Sequence, residues 1–111
     1  MQPKLTYLAT PYSHDDPAIR LSRFHAVNRA AGNLMREGHI VFSPISQGHP
    51  IALVADMPLD WVYWSSFCKT YMAYCNKMVV LCLEGWEESV GVTAELEIAR
   101  EMGLEIEFIN P

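Results

Sequence analysis

The stretch Val79–Glu95, VVLCLEGWEESVGVTAE, decides how this chain folds. It opens on apolar side chains with no polar alternation. That is the pattern of a strand covered on both faces, and such strands belong to parallel sheets. The apolar run ends at Leu83. A short acidic loop containing Gly85 follows, and a helix opens near Ser89 to Thr93 with Glu95 in its first turns. This order places a hydroxyl, free backbone N–H groups and a carboxyl at the carboxyl end of a strand, where open α/β sheets hold ligands.

Working outward, Leu5–Ala9 (LTYLA) reads as a first strand and Ile40–Phe42 as a second, cut short by Ser43-Pro44. The third strand is expected over Met78–Leu83. The fourth shows alternation, Leu104, Ile106 and Phe108 against Glu105, Glu107 and Asn110, which suits a half-exposed strand near an edge. Between the first two strands, Pro17 suits a first helical position and the helix is expected from Ala18 to Glu37, ended by Gly38. Its inward face is drawn from Phe24, Val27, Ala31, Leu34 and Met35, and its basic residues from Arg20 to Arg36 read as a solvated face. Ser46–Pro50 (SQGHP) reads as loop, Ile51–Ala55 as a short helix broken by Asp56-Met57-Pro58, and Leu59–Tyr74 as one helix opening near Asp60. The last helix is expected over Val90–Met102, with Ala94, Ile98, Ala99 and Met102 inward. The order βαβα(α)βαβ predicts a compact three-layer α/β sandwich, a single domain over 1–111, with a small parallel sheet of about four strands.

Composition narrows the partners. Half the residues are apolar and the formal charge is −5, with eight Lys and Arg scattered rather than clustered, so no nucleic-acid surface is indicated. The longest apolar run falls far short of the roughly 20 residues a membrane span needs. The first residues lack a signal-peptide pattern. The cysteines Cys68, Cys75 and Cys82 form no CxxC, which suggests buried free thiols in a reducing, cytoplasmic setting. The helix 59–74 carries more aromatic residues than one buried face requires. Trp61, Tyr63, Trp64, Phe67, Tyr71 and Tyr74 suit either a subunit interface or a pocket wall.

Two loops are candidates for chemistry. Neither GxGxxG nor a P-loop is present, which sets aside the usual dehydrogenases and ATPases. After the first strand, Thr10-Pro11-Tyr12-Ser13 offers hydroxyls and a ring; Tyr12 reads either as a ligand contact or as a packed turn residue. After the third, Ser89 and Gly91 sit at a helix start able to hold an anion, and Gly91 permits close approach. Glu95 lies past the free N–H groups, so it reads either as a functional carboxyl or as a solvated helix residue like Glu97 and Glu101. A carboxylate here suits attack on a glycosidic carbon, with a covalent sugar intermediate and no metal or other cofactor. His14 and His49 both follow strands and could face one crevice. His49 reads as a polar pocket residue, and no ligand spacing supports a metal.

At Tyr7-Leu8-Ala9-Thr10-Pro11-Tyr12-Ser13 and at Gly85-Trp86-Glu87-Glu88-Ser89-Val90-Gly91-Val92-Thr93-Ala94-Glu95 the chain resembles a family of uncharacterised bacterial and phage proteins, domain of unknown function 1937. Pro44, His49-Pro50 and Trp64 extend the likeness over nearly the whole chain. That family is similar to the nucleoside 2-deoxyribosyltransferase-like superfamily of deoxyribosyltransferases and deoxynucleoside 5′-monophosphate N-glycosidases. The resemblance implies a flavodoxin-like, doubly wound sheet. It implies Glu95 as the nucleophile at the sugar's C1, and Ser89 with the Gly91 backbone on a 5′-phosphate or 5′-oxygen. The other wall would come from Tyr7, Ala9, Thr10, Pro11, Tyr12 and Ser13, with Trp86 and His49 as further substrate contacts. The superfamily's aspartate on the preceding helix falls near Cys68-Lys69, and neither is a carboxylate; Asp60, two turns earlier, is the nearest substitute. The expected partner is a small nucleoside or nucleotide, and the expected assembly a homo-oligomer, dimer or tetramer. A hydrolase is favoured over a transferase. The rival readings are a nucleotide-binding or sensing module without turnover, and an interaction protein using the aromatic helix 59–74.

Overall fold

The computed structural model describes residues 5–58 and 60–111. Leu59, expected to open the third helix, lies outside them. Four parallel strands form one sheet in the order β2-β1-β3-β4, with β1 at Leu5–Ala9, β2 at Ile40–Phe42, β3 at Lys77–Leu81 and β4 at Glu105–Ile109. Helices α1 (Pro17–Arg36), α2 (Pro44–Ala55), α3 (Trp61–Met72) and α4 (Val90–Met102) connect them, and a 3₁₀ turn at Trp86–Glu88 precedes α4. The α/β class, the parallel sheet and the element order are those the sequence predicts. Among the described residues no helix is long and apolar enough to cross a membrane.

The two-residue period of β1 and β3 divides the interior into two cores. Leu8, Val79 and Leu81 face α1, meeting Val27, Ala30, Ala31 and Leu34. Tyr7, Ala9, Met78 and Val80 face the other way, toward Cys68 and Met72 of α3 and Val92, Leu96 and Ala99 of α4. Both central strands are therefore buried and mostly apolar, with Thr6 in β1 and Lys77 at the start of β3 as the exceptions, while edge strand β4 keeps Glu105 and Glu107 in solvent beside Lys77, with the nearer contact at 3.1 Å. The chain leaves β1 toward one side of the sheet and β3 toward the other. Their carboxyl ends thus diverge and leave a crevice, the topological switch point of a doubly wound fold.

Several local expectations change. Met35 and Met102 are 54% and 42% exposed rather than inward, and on α4 the buried positions include Glu95 and Leu96, with Ala94 only half-buried. The basic residues of α1 are not one solvated face: Arg23 is half-buried and donates to the carbonyls of Ser13 (3.2 Å) and Glu84 (3.3 Å), while Arg20 donates to that of His14. β3 ends at Leu81, two residues early: Cys82 N–H makes a last bond to the Ile109 carbonyl, where β4 itself ends, and Leu83 N–H turns back to the Leu81 carbonyl.

The largest change is at Ser46–Pro50, expected as loop and found inside α2. Ser43 caps this helix, its hydroxyl accepting the Ser46 N–H at 3.3 Å, and Pro44 takes the first position with φ already suited to it. Gly48 is not a breaker here: it sits inside α2 against the Trp64 ring of α3, where even a Cβ would make an ordinary 3.7 Å contact. Asp56, at φ 55°, then ends the helix in the left-handed conformation. If the cap nucleates α2, Ser43→Ala should lower the unfolding free energy by about 0.5–2 kcal/mol in urea denaturation. A loop at this position would leave stability unchanged.

Candidate functional site

A cavity of about 440 Å³ occupies the crevice beyond the carboxyl ends of β1 and β3. It lies within the range of about 300–1,000 Å³ usual for small-molecule sites. One pole is built from α3 and α4. Ser89 caps α4, its hydroxyl accepting the Val92 N–H at 3.2 Å, which fixes the helix start against the loop from β3. Side chains on a helix lean toward its N-terminus, so Glu95 reaches back over Gly91, one turn earlier. Gly91 lies in that lane: a carbon added there would touch Trp61 at 3.8 Å and Glu95 Oε1 at 4.0 Å, both ordinary contact distances. Glu95, Cys68, Trp61, Ser89 and Gly91 all line the cavity.

Glu95 is 5% exposed and its carboxyl accepts a hydrogen bond from the Tyr7 hydroxyl, 88 residues away in sequence. Burial pushes its pKa up to about 8, and the bond from Tyr7 opposes the rise only in part. Cys68, also hydrogen-bonded with Tyr7, is pushed up to about 12 by burial and by the nearby Glu95 charge. Tyr7 lies well above its ordinary value, again first through burial. This pole is therefore a buried, proton-holding cluster at neutral pH, with Glu95 the first member to ionise.

The opposite pole rises from the β1–α1 loop and α2. The Tyr12 hydroxyl and His49 Nδ1 share a hydrogen bond, and the His49 ring stacks on Phe24 with centroids 4.3 Å apart. Burial, Arg20 and His25 hold His49 below its usual pKa, so the imidazole is neutral. Burial raises Tyr12, against an opposing effect from Arg20. Among the described residues, Thr10 Oγ1 is the buried side-chain oxygen left without a hydrogen-bond partner, and Thr10 lines the cavity.

Of the residues singled out in the sequence, the cavity is lined by Glu95, Asp60, Tyr12, Thr10, Ser13, His49, Ser89 and Gly91. Tyr7 stands behind the wall as the hydrogen-bond partner of Glu95. Ala9 and Pro11 are buried beside the site without lining it. Trp86 packs on Phe108, centroids 5.4 Å apart, away from the cavity. His14 is exposed and does not share the crevice with His49. Glu95 departs from Glu97 and Glu101, which are exposed as solvated helix residues should be. The aromatic surplus of α3 is resolved in part: Trp61 and Trp64 form pocket wall, while Tyr74 is 75% exposed. Cys68 and Glu88 also line the cavity and carried no site signal of their own, since a thiol reads as core and a loop glutamate as solvated. No group of three or more metal-ligating side chains occurs among the described residues.

The family model described as domain of unknown function DUF1937 matches residues 4–110. The chain belongs to that family. Among solved structures, it is similar to the 2-deoxyribosyltransferase of the psychrotolerant bacterium Bacillus psychrosaccharolyticus, at 18% identity and a TM-score of 0.64. The match covers 96% of this chain and 72% of that one, and it places the DUF1937 chain in the deoxyribosyltransferase-like fold. No curated protein matches the sequence.

The raised carboxyl has a thermodynamic signature. A group whose folded pKa lies above its unfolded value adds stability below the unfolded value and loses it as pH climbs through the folded one. For Glu95 that window runs from its ordinary 4.5 to about 8. Unfolding free energy should fall across this interval by on the order of a few kcal/mol. Glu95→Gln, which keeps an acceptor for Tyr7 but cannot ionise, should flatten the profile in chemical denaturation at a series of pH values.

Proposed function

We propose that this protein cleaves the N-glycosidic bond of a nucleoside or nucleoside 5′-monophosphate, with Glu95 as the nucleophile. The observation that carries the reading is a buried carboxyl lining a half-open, largely apolar cavity at the switch point of the sheet, held by Tyr7 and facing the capped start of its own helix. Fold likeness to an enzyme described as a 2-deoxyribosyltransferase supports the same class of chemistry.

In this reading the Glu95 carboxylate attacks C1′ as the base departs. The C1′–N bond breaks with its electron pair going to the base, and a C1′–O bond to Glu95 forms. Water then releases the sugar, or a second base accepts it. Tyr7 orients the carboxyl. Ser89 and the Gly91 backbone meet the 5′ end. Tyr12, with His49 behind it, faces the sugar or base, and Asp60 borders the cavity where it can assist departure of the base. Hydrolysis remains the favoured outcome over transfer. The exposed Val62 (85%) and Val90 (73%) also line the cavity, which suits assembly into a homo-oligomer with the mouth partly covered.

One observation favours a second reading, a nucleotide-binding module without turnover. Cys68 stands where the resemblance places an aspartate, and its thiol, pushed up to about 12, stays protonated rather than supplying that charge.

The test is chromatographic detection of free base from purified protein incubated with nucleosides and 5′-monophosphates. Base release is expected, and Glu95→Gln should reduce it by about a thousandfold or more. Release at an undiminished rate by the variant would sink Glu95 as nucleophile; release from no substrate would select the binding module. The pH–rate profile supplies a further check. Because only ionised Glu95 can attack, the rate should climb from neutral pH and level off above about 8.

A further inference from the structure

The cavity's charge bears on which of the two substrate types it takes, given the glycosidase reading above. Among the described residues its lining includes Asp60, Glu88 and Glu95 and no lysine or arginine. Two cations outside this lining, Arg20 and Arg23, donate to backbone carbonyls, Arg20 to that of His14 and Arg23 to those of Ser13 and Glu84, and Arg20 acts on Tyr12 and His49 at the pole opposite Glu88. Of the other described basic residues, Arg29, Arg36, Lys69 and Arg100 are exposed and outside the cavity, and Lys77 pairs with Glu105 and Glu107 on the edge strand.

The start of α4 would be the natural seat for a phosphate, but its own chain already supplies acid there. The 3₁₀ turn sets Glu87 and Glu88 immediately before the Ser89 cap, and Glu88 borders the cavity beside Ser89, Val90 and Gly91. Acidic residues directly ahead of a helix start disfavour a second anion there. The remaining surfaces suit uncharged chemistry. Trp61 and Trp64 present apolar rings, and Thr10 Oγ1 is a buried neutral hydroxyl with no protein partner. A 5′-hydroxyl can donate to Glu88 or accept from Ser89, whereas a 5′-phosphate can only accept and carries like charge.

We infer that this cavity takes unphosphorylated nucleosides, and that Glu88 is the specificity-determining residue that keeps a 5′-phosphate out.

Binding is measured by calorimetry on the Glu95→Gln chain, so that turnover does not interfere. The probes are the four common 2′-deoxynucleosides and their 5′-monophosphates. At low salt at least one nucleoside should bind on the order of tenfold or more tighter than its monophosphate, and added salt should narrow the gap. Glu88→Gln should shrink the ratio, and Glu88→Lys should invert it; Glu88 is exposed, so neither change disturbs the core. Equal or tighter binding of monophosphates, a ratio indifferent to both Glu88 variants, or binding of none of the probes would overturn the inference. The glycosidase reading fails separately. Monophosphate preference with base release intact overturns only the specificity, whereas nucleoside preference without base release by the unmodified chain overturns only the chemistry.

Discussion

Everything at this site follows from the requirement that β1 and β3 be covered on both faces. Each strand has neighbours on both sides and helices above and below, so alternate side chains must fill different cores. That fixes Tyr7 on the α3–α4 side with no freedom to slip, because a one-residue shift would exchange the two cores. A tyrosine buried there needs a partner for its hydroxyl. Glu95, reaching back along α4 over a glycine, is that partner. The burial of the carboxyl and its raised pKa are thus consequences of strand registry as much as of local sequence.

The same geometry explains why the two poles of the cavity differ. At the α4 pole the buried Glu95, Cys68 and Tyr7 hold their protons tightly. The opposite pole is an aromatic arrangement, Tyr12 on His49 on Phe24, with Arg20 close enough to influence both titratable rings. Charge development at a sugar placed between them would therefore meet a poorly solvated carboxylate on one side and neutral rings on the other. Such burial strengthens electrostatic effects by lowering the effective dielectric around the carboxylate.

Much of this was legible in the sequence. An uninterrupted apolar run gave the third strand as a central one, alternation gave the edge strand, and the serine, glycine and glutamate spacing marked the helix start that forms one wall. What resisted reading depended on contacts between distant segments. Gly48 and Pro50 look like breakers until Trp64 is seen packed over the glycine and Ser43 capping the helix ahead of both. Tyr7 looks like a ligand contact until it meets a residue 88 positions on. Met35 and Met102 satisfy a helical spacing, yet Met35 turns to solvent beside the buried Leu34, and Met102 is the last residue of α4. Cys68 carries no polar signal, and only α3's packing brings its thiol to the cavity.

Arg23 shows how a residue outside the cavity can shape what happens in it. One guanidinium spans from the Ser13 carbonyl to the Glu84 carbonyl, linking the loops that leave β1 and β3 on opposite sides of the crevice. Gly85 is needed beside it, since a Cβ there would come within 3.3 Å of the guanidinium and its φ of 87° already favours glycine. The link acts as a tie-bar across the mouth. It restricts both loops when the chain folds, so an arriving ligand has less disorder to remove.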